Sequence, residues 1–393
     1  MSERAAPKRK TAWSWRSRAV RGWVYQALAL ALVAAAVAFL AHNTQENMRV
    51  RGIQSGFDFL GQAAGFDIGE TLVAYDPSQS YGRALWVGVL NTLRVAVIGI
   101  VLTTLLGVLV GVGRFSRNAL VRGLCYAYVE VFRNVPVLLQ LLMWYLLFVE
   151  VLPPPQSAWN AGGLFFLSKG GFAFPVPVWA SGHAWMALGA LVGVVAGVAY
   201  RRWAQRQFEL TGIDRNRWAL PLAAVVVLAA LGWLLGGGPR EWSVPEQLTF
   251  MVDGGASATP EFLAVLVGLV TYTGAFVAEV VRGGIQSVGH GQTEAASAIG
   301  LTRRQQMRLV ILPQALRVIV PPLTNQYLNL TKNSSLAVAV GYPDVVSVAN
   351  TTLNQSGRAV ECIAIIMLVY LTTSLATSGV MNWYNRRVAI KER

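Results

Sequence analysis

Between two long apolar runs the chain reads Arg282-Gly-Gly-Ile-Gln-Ser-Val-Gly-His-Gly-Gln-Thr-Glu-Ala-Ala-Ser-Ala-Ile-Gly-Leu-Thr-Arg-Arg-Gln-Gln-Met-Arg-Leu-Val-Ile-Leu-Pro313. Thr293 is placed to cap a short helix from Glu294 to Ile299, which sets Glu294 at the positive end of the helix dipole. Gly300 then ends that helix. Thr302, with Gln305 three residues later, has the spacing of a capping box for a second helix that carries Arg303, Arg304 and Arg308 toward Pro313. The prediction is a helix-turn-helix. Ala295, Ala296 and Ala298 leave its first helix nearly bare, a shape suited to a groove on another protein.

Working outward, the flanking runs are long enough for a bilayer, whose hydrocarbon needs roughly 20 apolar residues in a helix. Eight spans are predicted, at about Val24 to Ala41, Leu85 to Val112, Gly123 to Val149, His183 to Tyr200, Trp218 to Leu235, Phe262 to Val281, Ala315 to Val340 and Cys362 to Tyr384. The first reads as an uncleaved anchor. With 54% hydrophobic and 13% charged residues and a mean hydropathy of +0.47, the chain is expected to be an all-α integral membrane protein rather than a water-soluble domain.

A formal charge of +14 would suggest nucleic acid in a soluble protein, so the position of the basic residues decides its meaning. With both termini in the cytoplasm, only Arg49, Arg51, Arg83, Lys169, Arg240 and Arg358 of the 33 Lys and Arg fall outside. Arg94, Arg133 and Lys332 lie in or beside spans, and the rest face the cytoplasm. The positive-inside rule therefore sets the orientation and accounts for the charge without nucleic acid. Cys125 and Cys362 stand far apart, and His42, His183 and His290 have no second ligand at metal spacing, so neither a disulfide nor a metal site is expected. Gly189, Gly193 and Gly197, and likewise Gly107 and Gly111, recur every four residues and read as close helix contacts. Residues 153–177 and 236–260, rich in Pro, Gly and Trp, read as two irregular external loops.

Glu294-Ala295-Ala296, Gly300 and Leu312-Pro313 match the pattern E-A-A-x3-G-x9-I-x-L-P, with Val310 in place of Ile. On these residues the chain resembles permease subunits of bacterial ABC importers. Ala278 to Val288 and Asn329 to Leu336 are similar to the polar amino-acid branch, the histidine and glutamine permease-like family. The resemblance covers about Leu85 to Val149 and Phe262 to Tyr384, with Arg133-Asn-Val-Pro136 standing where the branch usually shows R-G-T-P. It divides the chain into a basic N-terminus with an extra span (1–84), a first core part (85–150), an insertion with two spans (151–261) and a second core part (262–393) holding the loop 283–313. The long form resembles the larger permease of general L-amino-acid importers, or of glutamate, glutamine, aspartate and asparagine importers.

The resemblance implies a type I importer permease fold in the bacterial inner membrane. A cytoplasmic coupling helix would dock into an ATPase, giving Glu294, Ala295, Ala296, Gly300 and Arg303 that role. It also implies a second related permease subunit, paired with this one as a heterodimer, and a solute-binding protein outside. No lysine follows a glycine, so this chain has no P-loop, and ATP with its magnesium is expected on the partner ATPase.

Polar groups inside a membrane are costly and mark function. Asn325, Asn329, Lys332, Ser334 and Ser335, with Thr271, Tyr272 and Thr273 and with Arg94, are candidates to line a solute path. Pro321 and Pro322 are candidates to break the helix and free carbonyls. The same hydroxyls and amides also suit bonds between neighbouring helices, and Lys332 suits snorkelling to the outer surface. Glu279 and Arg282, one turn apart, are expected to pair. A secondary transporter or channel for small polar solutes remains the alternative. An enzyme is not expected, since the G-x-S-x-G and H-E-x-x-H patterns are absent.

Overall fold

The computed structural model describes residues 18–50, 52, 55–213, 215–216 and 218–388. The basic residues before 18 and after 388, with Arg51 and Arg217, carry part of the orientation argument and lie outside the described residues. The chain divides into two compact units, Met1–Val89 with Val345–Thr372 and Leu90–Asp344 with Thr373–Arg393.

The first unit holds α1 (Arg18–Val50), the first turns of α2 (Tyr81–Gly113), α11 (Val345–Ser356) and the start of α12 (Ala359–Val388). Phe59, Ala64 and Ile68, from the segment between α1 and α2, are buried against Tyr81, Leu85, Val348, Ala349 and Cys362. Two polar contacts pin that segment: Arg358 meets Asp58 at 3.1 Å, and Glu361 accepts the Gly56 amide at 2.6 Å.

The second unit is built round α7 (Pro260–Gln286). Thr259 caps it by accepting the Phe262 amide at 3.1 Å, and Pro260 fills the first turn, where its missing N–H costs nothing. Val265, Leu269 and Val270 pack with Leu141 of α4 (Val137–Leu146) and Leu330 of α10 (Leu312–Asn333). Gly107 and Gly111 of α2 let it lie against the same helix. A Cβ on Gly107 would fall 2.4 Å from Val277, and one on Gly111 2.8 Å from the Ala278 carbonyl oxygen. The predicted close contact is present.

α5 (Ser181–Thr211) and α6 (Ala219–Leu235) form an antiparallel hairpin through the other glycine row. A Cβ on Gly189 would meet the Leu228 carbonyl oxygen at 2.1 Å, on Gly193 the Val225 Cα at 2.6 Å, and on Gly197 the Pro221 Cβ at 3.0 Å. Three glycines on one face of α5 bring the two backbones into contact.

The predicted count of eight spans is not what the structure shows. Among the described residues six helices are long and apolar enough to cross a membrane, or seven if one bent pair is a single span. That pair is α3 (Ala119–Asn134) and α4, bent by 107° where one straight span was expected. The cause is local. Pro136 forces the preceding Val135 into extended backbone (φ −96, ψ 130), and Gln140 donates to the carbonyls of Phe132 and Val135 at 2.8 and 2.9 Å, closing the end of α3. α6, with 17 residues, falls short of the others.

The fold is mostly helical rather than all-α, because the two loops expected to be irregular fold as strands. β1 (Trp159–Ala161), β2 (Phe165–Ser168), β3 (Gly171–Phe174) and β8 (Ala256–Ala258) form one antiparallel sheet in that order. β4 (Val176–Pro177) pairs with β5 (Trp242–Ser243), and β6 (Glu246–Gln247) with β7 (Val252–Asp253). The two loops therefore pair across α5 and α6. Gly162-Gly163, at φ +66 and +72, turns the first hairpin, and at Gly171 a Cβ would strike the Ala258 carbonyl oxygen at 2.2 Å. The glycines that read in sequence as part of irregular loops are turn and contact positions.

Candidate functional site

The loop between α7 and α10 folds as α8 (His290–Ala298) and α9 (Arg303–Gln306). α8 begins four residues ahead of the expected Glu294, with extended Gly289 at its N-cap. Thr293 is therefore inside the helix and caps nothing; its carbonyl accepts the Ser297 hydroxyl at 2.9 Å. The end of α8 follows the sequence. Gly300 is left-handed at φ +78, its amide bonds the Ser297 carbonyl at 2.9 Å, and the Leu301 amide bonds that of Ala296 at 3.1 Å. This pair of bonds is a Schellman closure. No atom lies within 4 Å of a Cβ placed on Gly300, so its backbone rather than its packing requires glycine.

Thr302 and Gln305 form the expected capping box: the Gln305 amide donates to Thr302 Oγ1 at 3.4 Å and the Thr302 amide to Gln305 Oε1 at 2.9 Å. Sequence reasoning missed what joins the two helices. Buried Gln306 donates from Nε2 to Ser297 Oγ at 3.0 Å and to the Leu301 carbonyl at 2.8 Å. Gln314 of α10 donates to Gln292 at 3.3 Å. Ala296 is buried in this joint, whereas Glu294, Ala295, Ala298, Gly300 and Arg303 are exposed and Ile299 is 75% exposed.

One turn before this loop, Glu279 and Arg282 pair as expected, with Nε of Arg282 at 3.1 Å. Two further guanidiniums converge on the same carboxylate: Arg114, just past α2, at 2.5 Å, and Arg133, in the last turn of α3, at 3.9 Å. Arg133 also lies 5.3 Å over the Phe276 ring. The knot ties the ends of α2 and α3 to α7, and nothing in the local spacing of Arg114 or Arg133 signals it.

The candidate path residues separate into four groups. Asn325, Asn329 and Lys332 lie along one exposed edge of α10, opposite buried Ile319, Leu323, Tyr327 and Leu330. None of the three hydrogen-bonds within the chain among the described residues. Ser334 is buried and donates to the Thr331 carbonyl at 2.7 Å, while Ser335 donates to that of Lys332 at 2.8 Å, so both hydroxyls serve the helix end. On α7, Thr271 donates to the Val267 carbonyl at 2.7 Å and its own carbonyl accepts Tyr128 at 2.6 Å. Tyr272 packs on Phe276 with ring centroids 5.0 Å apart, and Thr273 is buried. Arg94 of α2 lies 4.0 Å over Phe262. No hydrogen bond joins the α7 trio to the α10 edge among the described residues. Pro321 and Pro322 do not break α10, which runs through both. They remove the amides that would bond the carbonyls four residues earlier, at Arg317 and Val318.

The family model described as binding-protein-dependent transport system inner membrane component matches residues 189–390. The chain is 44% identical to the general L-amino acid transport system permease protein AapQ of Rhizobium johnstonii, over 98% of each chain. It is 45% identical to the putative amino-acid ABC transporter permease protein YhdX of Escherichia coli, again over 98% of each. With the glutamate/glutamine/aspartate/asparagine transport system permease protein BztB of Rhodobacter capsulatus it shares 39% over 95% of each. A match over half the chain, with relatives alike along nearly all of it, places this protein in the family of inner-membrane components of binding-protein-dependent transport systems.

Proposed function

We propose that this chain is a channel-forming permease subunit of an ATP-driven importer that carries polar L-amino acids inward across the inner membrane by alternating access. The observation that carries this reading is α8. A nine-residue helix held by Gln306 and Gln314 presents Glu294, Ala295, Ala298 and exposed Ile299 outward, which is the form of a coupling element made for a groove on an ATPase. That ATPase would bind ATP and magnesium, while this chain binds no cofactor of its own. The relatives that match along the whole chain, named as amino-acid permeases, support the substrate class.

The edge of Asn325, Asn329 and Lys332 supports a second, related permease subunit. Unpaired amides and an ammonium are costly against lipid, so this face of α10 is suited to a water-filled path shared with a partner. In this assembly both termini face the cytoplasm, α8 projects there, and the strands of residues 159–177 and 242–258 face an external solute-binding protein. Affinity purification in mild detergent tests the reading. The wild-type chain should bring ATP-hydrolysing activity with it and a Gly300→Asp variant should not; a wild-type chain that arrives alone would overturn the proposal.

A further inference from the structure

The end of the α5–α6 hairpin carries a cleft of about 1310 Å³. It is lined by Arg201, Arg202 and Arg206 of α5, Arg215 of the connecting turn, Trp218, and Trp383 of α12. Glu209 also faces it, and Gln205 donates to that carboxylate at 2.9 Å. None of the four arginines has a carboxylate within ion-pair distance among the described residues. Two are held by aromatic rings instead, Arg201 at 4.0 Å over Trp218 and Arg215 at 5.0 Å over Trp203. Among the described residues the cleft thus gathers four guanidiniums against one acid, two of the four pre-positioned by tryptophan faces.

Its depth follows from helix length. α5, at 31 residues, is about 47 Å long, well beyond hydrocarbon of about 30 Å, so its last turns emerge at the headgroup layer. Beside the arginines stand Leu210 (80% exposed), Ile213 (59%) and Trp218 (72%). Exposed apolar groups alternating with cations fit a membrane boundary, where acyl chains and charged headgroups meet. Guanidinium forks match phosphate oxygens in pairs.

We infer that this cleft binds the phosphodiester headgroup of an anionic phospholipid, anchoring the hairpin to the membrane surface. The inference does not depend on which solute is carried or on the ATPase. The test is titration of the delipidated full chain in neutral detergent, read by native mass spectrometry. The probes are phosphatidylglycerol, phosphatidylcholine with the same acyl chains, and glycerol 3-phosphate as the chain-free source of phosphate.

Phosphatidylglycerol should occupy one saturable site and phosphatidylcholine should not compete for it. Arg202→Gln, Arg206→Gln and Arg215→Gln together should weaken its binding by about 30- to 100-fold, the effect of losing three charges at an anionic headgroup. Lysine at the same three positions should bind between the glutamine variant and wild type, since ammonium groups keep the charge but not the paired fork. Arg117→Gln with Arg122→Gln, outside the cleft, should leave it unchanged. Equal binding by the glutamine variant and wild type, or equal loss in the lysine variant, would overturn the inference. Displacement of phosphatidylglycerol by an equal concentration of glycerol 3-phosphate would also overturn it, in favour of a soluble anion.

Discussion

Residues chosen for the same chemistry have different roles once their surroundings are known. Asn325 and Asn329 offer unpaired amides on an exposed edge, whereas the Ser334 hydroxyl is spent on the Thr331 carbonyl. Replacing both asparagines by alanine should raise the KM for amino-acid uptake about tenfold or more, the scale of hydrogen bonds lost to a charged ligand, without loss of folded protein. Ser334→Ala should leave KM within a factor of two. Kinetics of labelled uptake distinguish the cases, and an unchanged KM in the double asparagine variant would remove that edge from the path. Glu279→Gln leaves Arg114, Arg133 and Arg282 facing one another with no carboxylate between them. A cost of about 2 kcal/mol follows from the unpaired, partly buried cations, seen as a melting midpoint in detergent lowered by several degrees.

Among the elements, the glycine rows were legible in sequence because a four-residue period in a helix puts every member on one face. Gly193→Val should drive its side chain into Val225, where even a Cβ has only 2.6 Å, and cost about 2 kcal/mol or more. Gly379→Ala on α12, with open space around its Cβ, should be neutral or slightly stabilising. Thermal stability of the two purified variants checks the contrast; equal stability would refute the close packing. The start of α8 was not legible, because Thr293 has the chemistry of a cap and only the extended Gly289 shows where the helix begins. The sheet was hidden for a different reason. β3 pairs with β8 across 81 intervening residues, and strands of two to four residues carry too few alternations to register as a period. The 107° bend at Pro136 was written in the proline itself, yet the apolar run through it reads as one span.

At the scale of the whole molecule, hydropathy located the long apolar helices, and in the proposed orientation, with both termini in the cytoplasm, charge asymmetry would account for the +14. What sequence left open is what the apolar surface meets. Lipid suits the exposed leucines and valines of α1, α5 and α12, while the polar edge of α10 calls for water or a protein partner. In the proposed importer energy enters through α8, since this chain lacks a P-loop. The central claim is tested most directly by reconstituting the co-purified assembly in liposomes, with ATP on the side of α8 and the solute-binding protein opposite, and measuring labelled L-amino-acid uptake together with ATP hydrolysis. The account predicts uptake that requires ATP and is lost in Gly300→Asp. Uptake that proceeds equally without ATP, or equally in the variant, would contradict it.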